Sequence, residues 1–194
     1  IKLGLVAQIL ETIAALRRLN HSVLMVTSGA VGTGAHELKI YERPTTISRK
    51  QALAAVGQIR LIRELNGMLS TLGCESAQIL LTYGNLGERS QSLNARLTIE
   101  ELFSLGVVPI VNENDTVATE EIRFADNDRL SAMVASLIDA DLLFLLTDVD
   151  GLYTANPNVD KTARRIELVE SVEAIRSVVQ TKTGPGSEFS TGGM

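Results

Sequence analysis

Two short clusters of acidic and amide side chains stand close together near the middle of the sequence. The first, NEND at residues 112–115, directly follows the apolar run VVPIV, and the second, DND, occupies residues 126–128. Carboxylate and amide oxygens accept hydrogen bonds from an ammonium group, and amide N–H groups donate to a carboxylate. The two clusters together therefore favour the binding of a small zwitterion, and an amino acid is the natural candidate.

Local backbone chemistry is the competing interpretation of these clusters. Asp128 or Asn127 is well suited to cap the helix that follows, and the first cluster is compatible with an Asx turn. Capping needs only one residue of the second cluster, however, and an Asx turn uses one or two residues of the first. Neither explains why both clusters flank one Thr-containing loop, so we favour a binding function over turn chemistry.

The glycine-rich segment VTSGAVGTGAHEL, residues 26–38, is a second candidate site. Glycine at positions 29, 32 and 34 permits positive φ and close approach of a ligand, and a helix N-terminus beyond it favours a carboxylate or phosphate. The dinucleotide-binding fingerprint and the P-loop both fail, because Glu37 and Ala35 stand where Gly and Lys are required. A turn that serves only chain reversal is the alternative.

A third candidate is LLTDVDGLYTANP, residues 145–157, where an apolar run ends in Thr-Asp and then breaks at Gly and Pro. A strand end of this kind is suited to hold a nucleotide. The alternative is an ordinary exit from a strand into a turn, and the segment taken alone does not separate the two.

The scarcity of certain residue types narrows the reaction class. Two histidines, one cysteine and no Cys/His cluster leave little for zinc or thiol chemistry. Residues 115–128 lack the glycine and the regular ligand spacing of an EF-hand loop, so any metal would come with phosphates. Phosphoryl transfer fits better, because positioning and cationic stabilisation catalyse it and a carboxylate acceptor needs no general base.

The elements that must position these residues alternate along the chain. Short apolar runs at residues 22–27, 76–82, 107–111 and 141–148 predict strands, and longer periodic segments at 47–73, 93–106 and 128–140 predict helices. Strands that are apolar throughout indicate helices on both faces of their sheet. The prediction is an α/β fold, a three-layer αβα sandwich with a mainly parallel central sheet, whose ligands lie beyond the carboxyl ends of the strands.

Length and composition set limits on the class of protein. A chain of 194 residues is long enough for one domain, and its hydrophobic fraction of 45% with 21% charged residues predicts a globular fold. A net charge of −5 and an aromatic content of 4% argue against a nucleic acid partner. The sequence contains no apolar stretch long enough for a membrane span, and a single cysteine fits a reducing compartment, so we expect a cytoplasmic protein.

Six segments together resemble the amino acid kinase family: VTSGAVGTG, QALAAVGQ, VVPIVNENDTVAT, DNDRLSA, LLTDVDGLYTANP and TGGM. The resemblance covers essentially the entire chain, and the motifs at residues 112–132 point to the branch that phosphorylates the γ-carboxylate of L-glutamate, the first step of proline biosynthesis. It implies ATP and Mg²⁺ as cofactors. Feedback inhibition by proline and assembly into dimers or tetramers are implied by the resemblance alone.

The resemblance also implies a role for individual residues. Those that match the glutamate pocket are Ser28, Gly29, Asp115 and Asn127. Asp128 matches the aspartate that orients the catalytic lysines, and Lys2 matches the lysine of the first strand, which stabilises the transferring phosphoryl group and contacts the nucleotide. Further nucleotide contacts match Thr147, Asp148, Thr191, Gly192, Gly193 and Met194. No residue is assigned as a metal ligand.

Departures from the family pattern shape what we expect of the domain organisation. We expect residues 1–194 to form an amino acid kinase domain that is incomplete at its C-terminus, lacks a connecting segment near residues 4–5 and has no C-terminal RNA-binding-like domain. Residues 155–157 read Ala-Asn-Pro, with Asn156 where the family pattern usually has Asp in an Ala-Asp-Pro tripeptide. Two alternatives stay open: a sister kinase acting on N-acetylglutamate, aspartate or a nucleotide monophosphate, and a non-catalytic regulatory fragment that binds an amino acid.

Overall fold

The computed structural model describes residues 3–118, 127–147, 150–155, 157, 160–171 and 173. Helices and strands alternate through most of this part of the chain. In order they are α1 (Leu3–Arg18), β1 (Met25–Val26), α2 (Ala30–Glu37), α3 (Ile47–Thr71), β2 (Ser76–Leu81), α4 (Tyr83–Gly87), α5 (Arg89–Ser104), β3 (Val108–Glu113), α6 (Asn127–Leu137), β4 (Leu152–Tyr153) and β5 (Arg165–Ile166).

Three parallel strands form the main sheet, in the order β1-β3-β2. The central strand is β3, whose Val111 pairs with Val26 on one side and with Ile79 on the other. Residues 108–112 of β3 are all buried, as expected for a strand with helices on both of its faces. The alternation of apolar runs and helical segments thus leads to the parallel pairing that the sequence predicts.

Helices cover both faces of this sheet. On one face, α1 and α3 pack against Val108 and Ile110 of β3. On the other face, α5 and α6 pack against Val111 through Ile99 and Leu130. Because successive side chains of a strand point to opposite faces, one strand supplies two separate cores. The predicted three-layer α/β sandwich with a mainly parallel sheet is confirmed.

Helices α2 and α3 approach each other at two glycines. A Cβ atom added at Gly57 of α3 would lie 1.9 Å from the carbonyl oxygen of Ala30, and one added at Gly34 of α2 would lie 1.9 Å from the carbonyl oxygen of Leu53. Only residues without a side chain allow this distance between the two backbones. The contact fixes α2, the helix that follows β1, against the long helix α3.

The predicted element ends differ modestly from those observed. The helix predicted over residues 47–73 ends at Thr71, and the helix predicted over 93–106 begins earlier, at Arg89. The strand predicted over 22–27 is reduced to Met25–Val26. Over the described ranges, no helix combines the length and the apolar character required to cross a membrane.

The prediction of a strand over residues 141–148 is wrong for residues 141–147, the part of it that the structure describes. Those residues form neither helix nor strand, and the side chains of residues 142–146 are 44–75% exposed. An apolar run becomes a strand only when a neighbouring strand accepts and donates its backbone hydrogen bonds, and hydrophobicity cannot specify that neighbour. A short antiparallel ladder, β4 with β5, follows instead and was not predicted.

Candidate functional site

The carboxyl ends of β1 and β3 lie side by side because these strands are parallel neighbours. Thr27, the first residue after β1, donates its backbone N–H to the carbonyl oxygen of Val111 at 2.8 Å. Ser28 and Gly29 follow immediately, and Asp115 follows the end of β3 by two residues. The structure therefore brings three of the four predicted pocket residues to one edge of the sheet, where parallel α/β folds bind ligands.

The loop after β3 is organised around the backbone of Asn114. Its N–H donates to the carbonyl oxygen of Leu81 at 2.8 Å, and its carbonyl oxygen accepts from the N–H groups of Val117 and Ala118 at 3.2 and 3.1 Å. Within the described part of the chain, the carboxylate of Asp115 has no hydrogen-bond partner. Backbone hydrogen bonds therefore close the turn, and the Asp115 side chain forms no Asx turn with the described residues.

Asn112, the first residue of the NEND cluster, has a structural role. Its side chain is 2% exposed, and its Nδ2 donates to Oε1 of Gln58 in α3 at 2.7 Å. A buried amide of this kind is stable only when its hydrogen-bonding groups are satisfied. Asn112 thus faces α3, whereas the residues that follow it lie at the strand end.

Two carboxyl groups at this strand end have perturbed ionisation. Burial and, to a smaller extent, the nearby charge of Asp115 together raise the pKa of Glu113 to about 7. Burial likewise raises the pKa of Asp115 above its usual range. Two carboxyl groups without a cationic partner among the described residues thus lie at or just after the end of the central strand. An ammonium group placed beside them would supply the opposite charge and favour their ionised forms.

The DND cluster continues into α6, and the structure describes its last two residues, Asn127 and Asp128. Asn127 and Asp128 are the first two residues of α6, which places Asp128 inside the helix and not at its cap. The backbone oxygen of Asp128 accepts from Oγ of Ser131 at 2.7 Å. Asp126 lies outside the described residues, as does the rest of the Thr-containing loop from residue 119.

The side-chain oxygen of Asn127 is buried without a hydrogen-bond donor among the described residues. Leaving a buried acceptor unpaired costs on the order of 1–3 kcal/mol. The start of α6 lies near the sheet edge, because Leu130, one turn further along, shares a buried cluster with Val111. Asn127 therefore presents an unsatisfied acceptor close to the strand ends that carry Ser28 and Asp115.

The glycine-rich segment differs from its predicted form. Only Gly29 has positive φ, at 95°, and α2 begins directly after it at Ala30. Gly32 and Gly34 lie inside α2, so the prediction that they belong to a turn is wrong. Packing explains the difference for Gly34, which has to approach α3 closely. The N-terminus of α2, which no side chain caps, follows Gly29 directly at the sheet edge.

A cavity of about 320 Å³ lies between α3 and the ends of β2 and β3. Its lining includes Glu113, Asn114 and Asp115 from the strand end and Ala54 and Gln58 from α3. Of the four predicted pocket residues, Asp115 alone lines it. The sequence analysis assigned no pocket residue to α3. The segment QALAAVGQ nevertheless carries a usable signal, because it places two glutamines seven residues apart, a spacing that puts both on one helix face.

Most of the predicted nucleotide contacts lie outside the described residues. Thr147 is exposed and lies in no strand, and the neighbouring Asp148 lies outside the described residues. Lys2 and residues 191–194 also lie outside the described residues. Gly4, two residues after Lys2, lies within α1. In the described ranges, no group of three His, Cys, Asp or Glu side chains is arranged to hold a metal ion.

Comparison with known proteins agrees with this fold. Residues 3–194 match the model of the amino acid kinase family, and the chain belongs to that family. Its curated relatives are more specific. The chain is 52% identical over 192 residues to the glutamate 5-kinase of Synechococcus elongatus, covering 99% of this chain and 52% of that protein.

Two further relatives carry the same name. The chain is 54% identical over 193 residues to the glutamate 5-kinase of Rippkaea orientalis and 53% identical over 193 residues to that of Nostoc punctiforme. Each alignment covers 99% of this chain and 52% of the relative. The chain thus spans about half the length of the curated relatives it matches, and the resemblance that its motifs indicate is confirmed.

Proposed function

We propose that the protein transfers the γ-phosphoryl group of ATP to the γ-carboxylate of L-glutamate, giving L-glutamyl 5-phosphate, the first step of proline biosynthesis. The observation that carries this proposal is the identity of about half to proteins named glutamate 5-kinase across 99% of the chain. The geometry adds two carboxyl groups of raised pKa, which have no cationic partner in the described part of the chain, at the edge where Ser28, Gly29 and Asp115 meet.

The amino acid would be gripped by its two charged ends. Asp115 and Asn127 offer oxygen acceptors to the ammonium group, and the Asp115 carboxylate has no hydrogen-bond partner among the residues that the structure describes. Ser28, Gly29 and the uncapped N-terminus of α2 offer hydroxyl and backbone N–H donors to a carboxylate. The γ-carboxylate of the substrate attacks as it stands, since an ionised carboxylate is already a nucleophile and needs no base.

The remaining roles complete the proposal. Asp128 orients the cationic groups that stabilise the transferring phosphoryl group, with Lys2 as one of them. Nucleotide contacts come from Thr147, Asp148 and residues 191–194. Mg²⁺ would be held mainly by the phosphates and would neutralise their developing charge. We also propose a cytoplasmic homo-oligomer, a dimer or tetramer, that proline inhibits at a site overlapping the glutamate pocket.

The direct test is an acceptor comparison with the full-length protein. L-Glutamate, ATP, Mg²⁺ and hydroxylamine should give a hydroxamate, because hydroxylamine traps an acyl phosphate. Release of ADP is measured in parallel with N-acetylglutamate, aspartate and nucleotide monophosphates. Turnover of one of these acceptors without turnover of glutamate would identify a sister kinase, and glutamate binding without any turnover would identify a regulatory protein.

Substitution of the pocket residues tests how the acceptor is held. Asp115→Ala and Asn127→Ala should raise the KM for glutamate about 10- to 100-fold, since each removes a hydrogen bond to a charged group. The KM for ATP should change little. Exposed residues of the same types, Asp141→Ala and Asn94→Ala, serve as matched controls. An equal rise in the KM for glutamate and the KM for ATP would indicate misfolding and would contradict the assigned roles.

A further inference from the structure

One face of α3 carries two glutamines that contact opposite ends of the loop 112–118, which comprises the last two residues of β3 and the turn after it. Gln51 and Gln58 are seven residues apart, which is two helical turns, and Ala54 lies between them on the same face. Gln58 Oε1 accepts from Asn112 Nδ2 at 2.7 Å, and Gln51 Nε2 donates to the carbonyl oxygen of Ala118 at 3.2 Å. The helix therefore holds the loop at residue 112 and again at residue 118.

Asp115 lies between these two attachment points. Asn112 and Glu113 pair with β2 in the sheet, and beyond them the described residues show backbone bonds around Asn114, one to Leu81 and two within the turn. Nothing in that turn fixes the loop relative to α3. The two glutamine contacts do so, and Ala54 and Gln58 share the lining of the cavity with Asp115.

The same helix contacts the other side of the candidate site. Gly57, adjacent to Gln58, packs against Ala30 and Gly34 of α2 with no room for a Cβ atom. Since α2 begins directly after Ser28 and Gly29, α3 sets the position of both chain segments that carry pocket residues. Helices whose backbones pack in direct contact move little relative to one another, which makes α3 a rigid reference for both segments.

We propose that Gln51 and Gln58 are positioning residues of the acceptor site, holding the loop 112–118 so that Asp115 meets the ammonium group of the substrate. This inference rests on the proposed function for the identity of the substrate. Neither glutamine needs to contact the substrate. Both act through the loop, Gln58 through the Asn112 side chain and Gln51 through the backbone of Ala118.

Gln51 offers the cleaner test because its partner is a half-buried backbone carbonyl. When Gln51 becomes Met, water can reach the carbonyl of Ala118, so the fold keeps its stability while the loop loses a direct tether. Gln51→Lys keeps a hydrogen-bond donor of similar reach and should preserve the contact with the carbonyl oxygen of Ala118. Gln58→Met removes the partner of a buried amide, so a loss of fold stability should accompany its effect on the loop.

The experiment compares Gln51→Met, Gln51→Lys and Gln58→Met in the full-length protein, with Gln8→Met as an exposed control on α1. Gln51→Met should raise the KM for glutamate about fivefold, the value of one hydrogen bond, with kcat, the KM for ATP and the Tm unchanged. Backbone hydrogen exchange over residues 112–118 should become faster. Gln51→Lys and Gln8→Met should match the wild type in all of these.

Two results would overturn the inference. One is a Gln51→Met protein with the wild-type KM for glutamate and wild-type exchange over residues 112–118. The other is a Gln51→Lys protein as impaired as Gln51→Met, since that would show a packing role and not a donor role. A wild-type protein that does not use glutamate would refute the proposed function separately, and the exchange measurement would still decide whether the glutamines hold the loop.

Discussion

Replacing Gly57 with Ala tests whether the α2–α3 contact sets the position of the pocket. The added Cβ would lie 1.9 Å from the carbonyl oxygen of Ala30 and 2.4 Å from the backbone nitrogen of Gly34. Real Cβ atoms essentially never approach another heavy atom closer than 3.0 Å, so the two backbones have to separate locally by at least about 1.1 Å. Both atoms in the way belong to backbone, and no rotamer change relieves the clash.

The energetic cost follows from the same geometry. Overpacking of a tight contact costs about 1–3 kcal/mol, and the higher helix propensity of Ala returns somewhat less than 1 kcal/mol. We therefore expect Gly57→Ala to lower the free energy of unfolding by up to about 2 kcal/mol. Because α2 carries Ser28 and Gly29 at its start, the displacement should also weaken glutamate binding by more than it weakens ATP binding.

The assay is urea denaturation of the full-length protein, combined with titration of L-glutamate. Gly67→Ala is the matched control, since Gly67 lies in the same helix with nothing within 4 Å of an added Cβ. That change should stabilise the protein by about 0.5–1 kcal/mol through helix propensity alone. If Gly57→Ala proves as stable as Gly67→Ala, the close approach of α2 and α3 is not what holds the two helices.

Two other predictions concern the strand end and the helix that follows β2. Because the folded pKa of Glu113, about 7, exceeds its ordinary value of 4.5, the native state binds the extra proton between these pH values. The free energy of unfolding should therefore fall as pH rises through this window, by no more than about 3 kcal/mol for a half-buried group. Glu113→Gln should make that fall smaller and leave the part that Asp115 contributes, and an unchanged pH profile would refute the prediction. Thr82 forms a capping box with Asn85, with bonds of 3.1 and 2.7 Å, so Thr82→Ala should cost about 1 kcal/mol in urea denaturation. Thr82→Ser keeps the hydroxyl and should cost less, and equal losses for both variants would argue against the cap.

Elements with redundant sequence signals were predicted well. The helix at residues 47–71 has a periodic apolar face over many turns, and strands β2 and β3 are short apolar runs bounded by turn residues, so type and approximate position followed from the pattern. The failed strand at 141–147 has the same kind of apolar run. It differs in lacking a paired neighbour among the described residues, which no pattern along the chain reveals.

The Gly-rich segment shows the same limit at the level of single residues. Three glycines in nine residues predict a turn, because glycine is the residue that turns require. In the structure only Gly29 uses positive φ, whereas Gly34 serves the contact with α3. Whether a position requires glycine depends on which atoms pack against it. For Gly34 these atoms belong to the backbone of Leu53 in α3.

By itself, the sequence determined the alternation of strands and helices from β1 to α6, the parallel character of the sheet and the presence of acidic and amide groups at a strand end, since all three depend on local residue pattern. Only the tertiary structure decided which of those groups are free to act. Asn112 is paired with Gln58, 54 residues away, while the carboxylate of Asp115 has no partner among the described residues. Hydrogen-bond partners depend on distance in space, and the packing of α3 against the sheet sets that distance.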